Sequence, residues 1–338
     1  MMSLKRKYML VAATIIAAYG VWGTPQYTVS ERTDSSMVDI PLFIGKQDCW
    51  QAMWWNVENL FHPDTDSLNN DREFTPAGIR RWTHSRYRTK VAQIAQVVVN
   101  AGGWQRMDVI GLCEVEDSAC VADICRALGK DYRGIHYDSR DTRGIDVVLI
   151  YRTSCILLSS RAIRMSLPDG KTTRDLLHAQ MVMPEQDTVD FLLCHLPSMR
   201  GGYGYAATQR KEVIATMQHT IDSLLLADST RHIIVMGDMN DAPHNDLHGM
   251  HNMMCEVPTN RSASVQGSYR YRGVWTYLDQ CYLSKSLYHR QPTISVFAPD
   301  YLLEDDERYL GVRPKRTYIG IRYLGGYSDH LPIVLRIK

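Results

Sequence analysis

Residues 231–241 read RHIIVMGDMND, an apolar run that ends on polar side chains. The run from Ile233 to Met236 shows no polar alternation, which is typical of a strand buried on both faces. Asp238 and Asn240 follow it directly. In layered α/β folds, functional groups tend to collect at such strand ends. We therefore expect the functional side chains of this chain where apolar strands meet loops.

Six further apolar runs extend this pattern along the chain. They are Met53–Val57, Val109–Cys113, Val147–Tyr151, Val189–Cys194, Thr293–Phe297 and Ile333–Ile337. Apolar residues at helical spacing predict helices at about 86–100 and about 206–226. Strands outnumber helices, and those between about 130 and 195 leave no room for crossover helices. A mixed α/β sandwich is therefore favoured over a doubly wound sheet.

Polar side chains stand at most junctions between these runs and their loops. They are Asn56 with Glu58, Glu114 with Glu116, His195, Asp238 with Asn240, Asp279, and Asp329 with His330. Taken singly, each is most often a turn former or a helix cap. Together, oxygen ligands with few histidines favour Mg²⁺, Mn²⁺ or Ca²⁺ over zinc. Such a set suits hydrolysis of a phosphate ester, because a metal offsets phosphate charge and a carboxylate activates water.

Six short segments carry a family resemblance. They are WNVENLF (55–61), GLCEVED (111–117), HLPS (195–198), GDMND (237–241), WTYLDQ (275–280) and SDHLP (328–332). In this order they resemble the endonuclease/exonuclease/phosphatase superfamily, which includes the DNase I and exonuclease III types. RGIDVVLIYR and HLPSMRGG are similar to its exported bacterial branch. The resemblance implies a DNase I-like fold, a four-layer α/β sandwich with two packed mixed β-sheets flanked by helices.

The resemblance implies a metal site at the ends of the first two strands. Asn56 of WNVEN corresponds to the family's opening Asn, which helps to hold the metal or its waters. Glu114 of CEVE corresponds to the metal carboxylate, and Glu58 falls where some members keep an acidic residue near the metal. The expected cofactor is Mg²⁺, with Mn²⁺ or Ca²⁺ as alternatives.

Catalytic roles also follow from the resemblance. Asp238 and Asn240 correspond to the pair that orients or deprotonates the attacking water and binds a phosphate oxygen. Asp329 and His330 correspond to the closing pair, whose His faces the scissile phosphate. Asp279 corresponds to the carboxylate that fixes the tautomer of that His and favours its imidazolium form.

His195 follows the DNase I-like pattern, in which a second His flanks the phosphate. The alternative is a strand-end His bonded to a neighbouring carbonyl group. Asp146 is a candidate carboxylate partner for His195. Which of the two imidazoles acts as the acid is left open.

Three arginines are candidate contacts to substrate. The segment 79–90 contains five Lys or Arg residues, Arg81 among them, with aromatic residues and no acid. Such a mixture can contact a phosphate backbone and stack on bases, although a solvated helix start packed by Trp82 explains it equally well. Arg200 follows HLPSM near the expected site, and Arg152 closes the strand VVLIYR, where a structural role is the alternative.

The first 48 residues read as export and linker sequence. Lys5 to Lys7 precede an uncharged run from Tyr8 to Trp22, which is shorter than the roughly 20 residues that span a bilayer. A first core helix is the alternative. We expect a signal peptide or short N-terminal anchor over 1–23, a polar linker over 24–48 and the catalytic domain over 49–338. The protein would then be periplasmic, secreted or membrane-anchored.

Eight cysteines in an exported chain raise the question of disulfides. Cys113, Cys194 and Cys281 lie inside apolar runs, where cysteine commonly serves as a small buried hydrophobe. We therefore expect no disulfide framework, and only a pair between Cys120 and Cys125 is left open.

Composition does not select the substrate. The formal net charge is +1 and the pI is about 7.6, so no global field attracts a polyanion. The expected function is a metal-dependent nuclease that cleaves DNA or RNA phosphodiesters, favoured by the segment 79–90. The alternative is a phosphatase or phosphodiesterase that acts on inositol phosphates, phospholipids or nucleotides. A third reading, a catalytically dead binding module, conflicts with the competent residue at every matched position. No obligate protein partner is evident, and a monomer is expected.

Overall fold

Two six-stranded mixed sheets form the body of the molecule. The structure is a computed structural model that describes residues 49–64, 72–167, 170–198, 203–244, 246–257 and 263–338, with only the backbone of 203–206. These residues belong to one compact unit, Lys46–Lys338. The predicted segments 1–23 and 24–48 lie outside the described residues.

The first sheet has a parallel pair at its centre. Its strands are β1 (Trp50–Leu60), β2 (Val109–Val115), β3 (Tyr132–His136), β4 (Asp146–Arg152), β13 (Thr293–Val296) and β18 (Ile333–Ile337). Their order is β13-β18-β1-β2-β4-β3, and only β1 and β2 run parallel.

The second sheet repeats this plan. Its strands are β5 (Ile156–Ile163), β6 (Leu176–Val182), β7 (Thr188–His195), β8 (His232–Asp238), β9 (Met250–Asn252) and β12 (Asp279–Ser284). Their order is β5-β6-β7-β8-β12-β9, and only β7 and β8 run parallel.

Short hairpins and helices complete the described fold. The hairpin strands are β10 (Tyr269–Tyr271), β11 (Val274–Thr276), β14 (Leu303–Asp305), β15 (Val312–Pro314), β16 (Tyr318–Ile319) and β17 (Arg322–Tyr323). The α-helices are α1 (His84–Gly102), α2 (Ser118–Leu128), α3 (Tyr203–Ala227) and α4 (Lys285–Tyr288). Single 3₁₀ turns lie at Arg72–Phe74, Gly103–Gln105, Met253–Cys255 and Asp300–Leu302. No helix among the described residues is long and apolar enough to cross a membrane.

Alternating side chains on the strands divide the core into layers. On β1, Ala52 and Trp54 point into the core between the two sheets, whereas Met53 and Trp55 point into the core under α1 and α2. A third core lies between the second sheet and α3. This confirms the predicted four-layer sandwich, and it explains why the central strands lack polar alternation.

Local signals set the ends of α1. The hydroxyl of Thr83 accepts a hydrogen bond from the backbone N–H of Arg86 at 3.3 Å and caps the N-terminus. The helix ends before Gly103, whose φ of 59° is the left-handed conformation that glycine tolerates. All eight cysteines have free thiol groups. Cys120 and Cys125, the pair left open by the sequence, both lie on α2 and form no disulfide.

Candidate active site

The carboxyl ends of four core strands and the starts of two others, β12 and β18, meet at one edge of the sandwich. In the second sheet, Asp238 pairs with His195 on the parallel strand β7 and with Asp279 on the antiparallel strand β12. In the first sheet, Asn56 and Glu114 lie near the ends of β1 and β2. The amide of Asn56 donates to Oδ2 of Asp238 at 3.1 Å, across the two sheets. Sequence-distant residues thus form one cluster.

His330 is held from several sides. Its Nδ1 lies 2.7 Å from Oδ2 of Asp279, and the indole N–H of Trp54 donates to the other oxygen of that carboxylate at 2.9 Å. The backbone N–H of His330 donates to Oγ of Ser328 at 3.1 Å, and its carbonyl oxygen accepts from the indole of Trp55 at 2.9 Å. These contacts leave Nε2 to face the cluster, where it lies 3.8 Å from Oδ2 of Asp238.

The two histidines differ in charge. Burial would lower the pKa of His330, but the carboxylates of Asp279 and Asp238 outweigh it and raise that pKa to about 10. Burial, followed by the positive charges of Arg174, Arg143 and His330, lowers the pKa of His195 well below its usual value. The site therefore combines an imidazolium at position 330 with a neutral imidazole at position 195.

Asp238 lies between these two rings. Its Oδ2 is 3.7 Å from Nε2 of His195, and its Oδ1 accepts from the backbone N–H of Asn240 at 3.0 Å. Burial raises the pKa of Asp238, His330 opposes that shift, and Asp279 adds to it. A carboxylate whose pKa is raised toward neutrality can accept a proton from water at working pH.

Asp146 does not contact His195. Its carboxylate instead lies 3.2 Å from Nε2 of His136 and accepts from the backbone N–H of Ser139 at 3.2 Å. β3 pairs with β4 so that His136 lies opposite Val148, two residues from Asp146 on the same face, which brings the carboxylate to His136. Nδ1 of His195 has no hydrogen-bond partner among the described residues.

Two of the three predicted metal residues lie on strained backbone. Glu58 and Glu114 have φ angles of 53° and 65°, which non-glycine residues rarely adopt, and the β2–β4 register shifts at Glu114. Such strain is typical of functional sites. Oε2 of Glu114 accepts from the backbone N–H of Asn59 at 3.0 Å, and its Oε1 lies 3.6 Å from NH1 of Arg143. Oxygen donors from Glu114 and Asn56, side by side on β1 and β2, fit an oxygen-preferring divalent cation.

The carboxylate of Glu58 contacts the segment 316–318. It accepts from the backbone N–H groups of Thr317 at 2.6 Å and Tyr318 at 3.3 Å. Arg316 lies 3.7 Å from it and binds Asp329 at 2.5 Å. Glu58 and Asp329 are thus linked through one guanidinium group, at the rim of the cluster.

The basic segment 79–90 is largely structural. Trp82 is fully buried and donates to the carbonyl of Phe61 at 2.7 Å, and Lys90 is buried and donates to Oγ1 of Thr317 at 2.6 Å. Arg86 donates to the carbonyls of residues 80 and 81 at 2.8 Å. Arg81 and Arg88 remain exposed.

Arg152, another predicted substrate arginine, does not join the cluster. Arg152 ends β4, where its neighbour Tyr151 pairs with Val109 at the far end of β2 from Glu114. It lies 3.4 Å from Oδ1 of Asp108 and has a structural role there. Arg200 lies outside the described residues.

Two arginines near His195 were not predicted. Arg143 lies 3.6 Å from Oε1 of Glu114, and Arg174 is buried beside His195. Each precedes a strand by a few residues, a position that carries no helix or strand signal of its own. Arg174 lies beside His195 because β6 pairs with β7, and the sequence does not indicate that pairing.

Comparisons with known proteins agree with this geometry. TDP2 from Caenorhabditis elegans, in a truncated form, has 16% identity and a TM-score of 0.56 over 86% of this chain and 98% of that one. An endonuclease/exonuclease/phosphatase from Bacteroides vulgatus has 13% identity and a TM-score of 0.53, over 86% and 98%.

A mannosyl-6-phosphatase from Bacteroides thetaiotaomicron has 14% identity and a TM-score of 0.51, over 85% and 98% of the two chains. At these identities the likeness shows the fold alone. Comparison with curated proteins gives no match. The Endonuclease/Exonuclease/phosphatase family matches residues 52–338. The protein is therefore a phosphoesterase, and it belongs to the endonuclease/exonuclease/phosphatase family.

Proposed function

We propose that this chain is an exported, divalent-metal-dependent hydrolase that acts on compact phosphate esters. The observation that carries the proposal is the pair His330–Asp279, whose Nδ1–Oδ2 distance is 2.7 Å, placed with Asp238 beside Asn56 and Glu114. Charged imidazole, carboxylate and oxygen ligands are what hydrolysis of a phosphate ester needs.

Each group has a distinct part in the proposed reaction. The imidazolium of His330 directs Nε2–H into the cluster, where it donates to an oxygen of the phosphoryl group and stabilises the charge that develops there. Asp238 accepts the proton of the attacking water, which Asn240 helps to orient. A divalent cation held by Glu114 and Asn56 would offset the negative charge of the phosphoryl group.

The basic segment 79–90 favours a compact substrate over nucleic acid, because most of its cationic and aromatic side chains are buried or bonded within the protein. That segment carried the nuclease prediction, but Trp82 and Lys90 are buried and Arg86 binds backbone carbonyls. It therefore offers few free cations to a phosphate backbone. Nuclease activity is the second candidate, supported by the exposed side chains of Arg81 and Arg88.

Export and a monomeric state are part of the proposal. The cationic residues Lys5 to Lys7 and the uncharged run from Tyr8 to Trp22 support export, and HLPSMRGG supports the exported bacterial branch. The only partner that the site requires is its phosphoester substrate.

One assay tests the function directly. Purified protein is given plasmid DNA, RNA and a panel of sugar, inositol, lipid and nucleotide phosphates with Mg²⁺ or Mn²⁺. We expect hydrolysis of a compact ester that excess EDTA abolishes, and Glu114→Ala should raise the metal concentration needed for half-activity. Full turnover of dialysed protein in EDTA would contradict the metal requirement, and faster cleavage of DNA than of every compact ester would favour the nuclease.

A further inference from the structure

Arg143 and Arg174 lie at the active-site ends of the two sheets, one on each. Arg143 precedes β4, whose first residue pairs with Val115, next to Glu114. Arg174 precedes β6, which runs antiparallel to β7 with Leu177 opposite Leu193. Residues just before β6 therefore lie beside His195 at the end of β7. The roles assigned above to the metal ligands and catalytic groups use neither arginine.

Asp141 ties the two arginines together. Its Oδ1 accepts from the backbone N–H of Arg143 at 2.9 Å, and its Oδ2 lies 3.4 Å from Nε of Arg174. The hydroxyl of Thr172 donates to the carbonyl of Arg140 and joins the same two loops. The loops thus place both guanidinium groups on one side of the cluster.

Two buried nitrogen atoms in this place make no hydrogen bond with any described residue, although one of them is within ion-pair distance of Asp141. The side chain of Arg174 is only 7% exposed, yet its Nε makes no hydrogen bond with any described residue. The same is true of Nδ1 of His195, whose side chain is 3% exposed. Buried polar groups nearly always make hydrogen bonds, so buried donors near His195 that make none indicate the place of a ligand that supplies oxygen atoms.

Arg143 faces the same place from the metal side. Its NH2 donates to Oδ1 of Asn59 at 2.6 Å, and its NH1 lies 3.6 Å from Oε1 of Glu114. About a third of its side chain is exposed, so its remaining donors can reach a bound group. A guanidinium group offers five N–H donors in a fixed fork, which suits the oxygens of a phosphoryl group.

We propose that Arg143 and Arg174 form a subsite for the terminal phosphoryl group of a phosphate monoester, beside His195. The proposal rests on the function proposed above and names its substrate class. A monoester phosphoryl group presents three non-bridging oxygens and close to two negative charges near pH 7. A diester presents two such oxygens and one charge. Two adjacent guanidinium groups therefore bind the monoester more strongly.

Calorimetric titration with inorganic phosphate in Mg²⁺ buffer measures the subsite without turnover. Arg174→Met and Arg143→Met should each weaken phosphate binding by about tenfold or more, and Arg174→Lys should restore part of the affinity. Arg126→Gln is the matched control, because Arg126 on α2 has a side chain that is 75% exposed. Phosphate affinity within twofold of wild type in both Met variants, with a lowered Tm, would show that the pair only joins two loops.

Turnover then tests the substrate class. The ratio of kcat/KM for p-nitrophenyl phosphate to that for bis(p-nitrophenyl) phosphate should fall about tenfold in Arg174→Met and stay unchanged in Arg126→Gln. Weakened phosphate binding with an unchanged ratio would overturn monoester selection. If wild type hydrolyses neither ester with Mg²⁺ or Mn²⁺, the proposed function fails, whereas the phosphate titration still decides whether the arginine pair binds a phosphoryl group.

Discussion

At the scale of single residues, the contact between His330 and Asp279 is the sharpest expectation. Because Asp279 orients and charges the ring, His330→Ala and Asp279→Asn should each lower kcat by roughly 10²- to 10⁴-fold. The double variant should lose little more than the worse single one, since both changes remove the same function. Single-turnover rates on folded protein measure this. Fully multiplicative losses, or near-normal kcat with a lowered Tm, would show that the residues do not act as a pair.

Trp54 offers a test of how the carboxylate is held. Trp54→Phe removes the indole N–H that donates to Asp279 at 2.9 Å, so kcat should fall by roughly tenfold through misplacement of His330. Trp50→Phe is the matched control, because Trp50 is equally buried on the same strand face and its indole N–H has no partner among the described residues.

Trp54→Phe and Trp50→Phe should lose similar amounts of buried apolar contact. Trp54→Phe should be the less stable by about 1.5–3 kcal/mol, the contribution of a hydrogen bond to a charged group. Urea unfolding and kcat are measured on both proteins. Equal kcat values for the two variants would remove Trp54 from the positioning of Asp279.

Individual site residues could be named from the sequence because six short motifs mark them, but their contacts could not. The expected partner of His195, Asp146, begins a strand of the other sheet and binds His136 instead. Nothing in a linear sequence says which sheet a strand joins. Arg143 and Arg174 could not be predicted as site residues for the same reason.

At the scale of elements, strands that contain an apolar run could be predicted from the sequence, including the edge strand β13, whereas β5 and β6 could not. β8 and β18 each contain a run of buried apolar residues on both faces, and the sequence predicts them to within two residues. β5 is a half-exposed edge strand, and β6 is interrupted by His178, which is buried through a 2.7 Å contact with Asp190. The hairpin strands of two or three residues are too short to produce a periodic signal.

Lys90 connects helix α1 to the segment that holds Glu58. Its Nζ donates to Oγ1 of Thr317 and to the carbonyl of Tyr327, while the backbone N–H of Thr317 donates to Glu58. Lys90→Met should therefore destabilise the protein by about 3 kcal/mol, because it removes one of the two cations, Lys90 and Arg316, that stabilise the buried carboxylate of Glu58.

Removing both charges should be less harmful than removing one. The double variant Glu58→Gln with Lys90→Met should recover part of the stability lost in Lys90→Met, measured by urea unfolding at constant pH. Lys130→Met, at an exposed turn position, is the control and should change stability by less than about 0.5 kcal/mol. Strictly additive losses in the double variant would mean that Lys90 acts by packing alone.

At the scale of the whole molecule, the architecture explains why the site forms where it does. Each sheet has its single parallel pair at or beside its centre, β1 with β2 and β7 with β8, and the carboxyl ends of both pairs lie at one edge. The contact between Asn56 and Asp238 closes the two sheets at that edge. A formal net charge of +1 gives no global attraction for phosphate, so local positive groups at the site must provide it.

The catalytic unit should fold and act without the first 45 residues. The compact unit spans Lys46–Lys338, and every residue of the cluster lies at or beyond Asn56. A protein that begins at Lys46 should therefore keep kcat/KM and show a Tm within about 2 °C of the full chain, or less than roughly 1 kcal/mol for a domain of this size. The control begins after Leu60 and lacks β1, which lies between β18 and β2, so it should fail to fold by circular dichroism.

In cell fractions, the full chain should be found outside the cytoplasm and the Lys46 form within it. Export of the Lys46 form, or full-length protein found solely in the cytosol, would contradict the export role of residues 1–23.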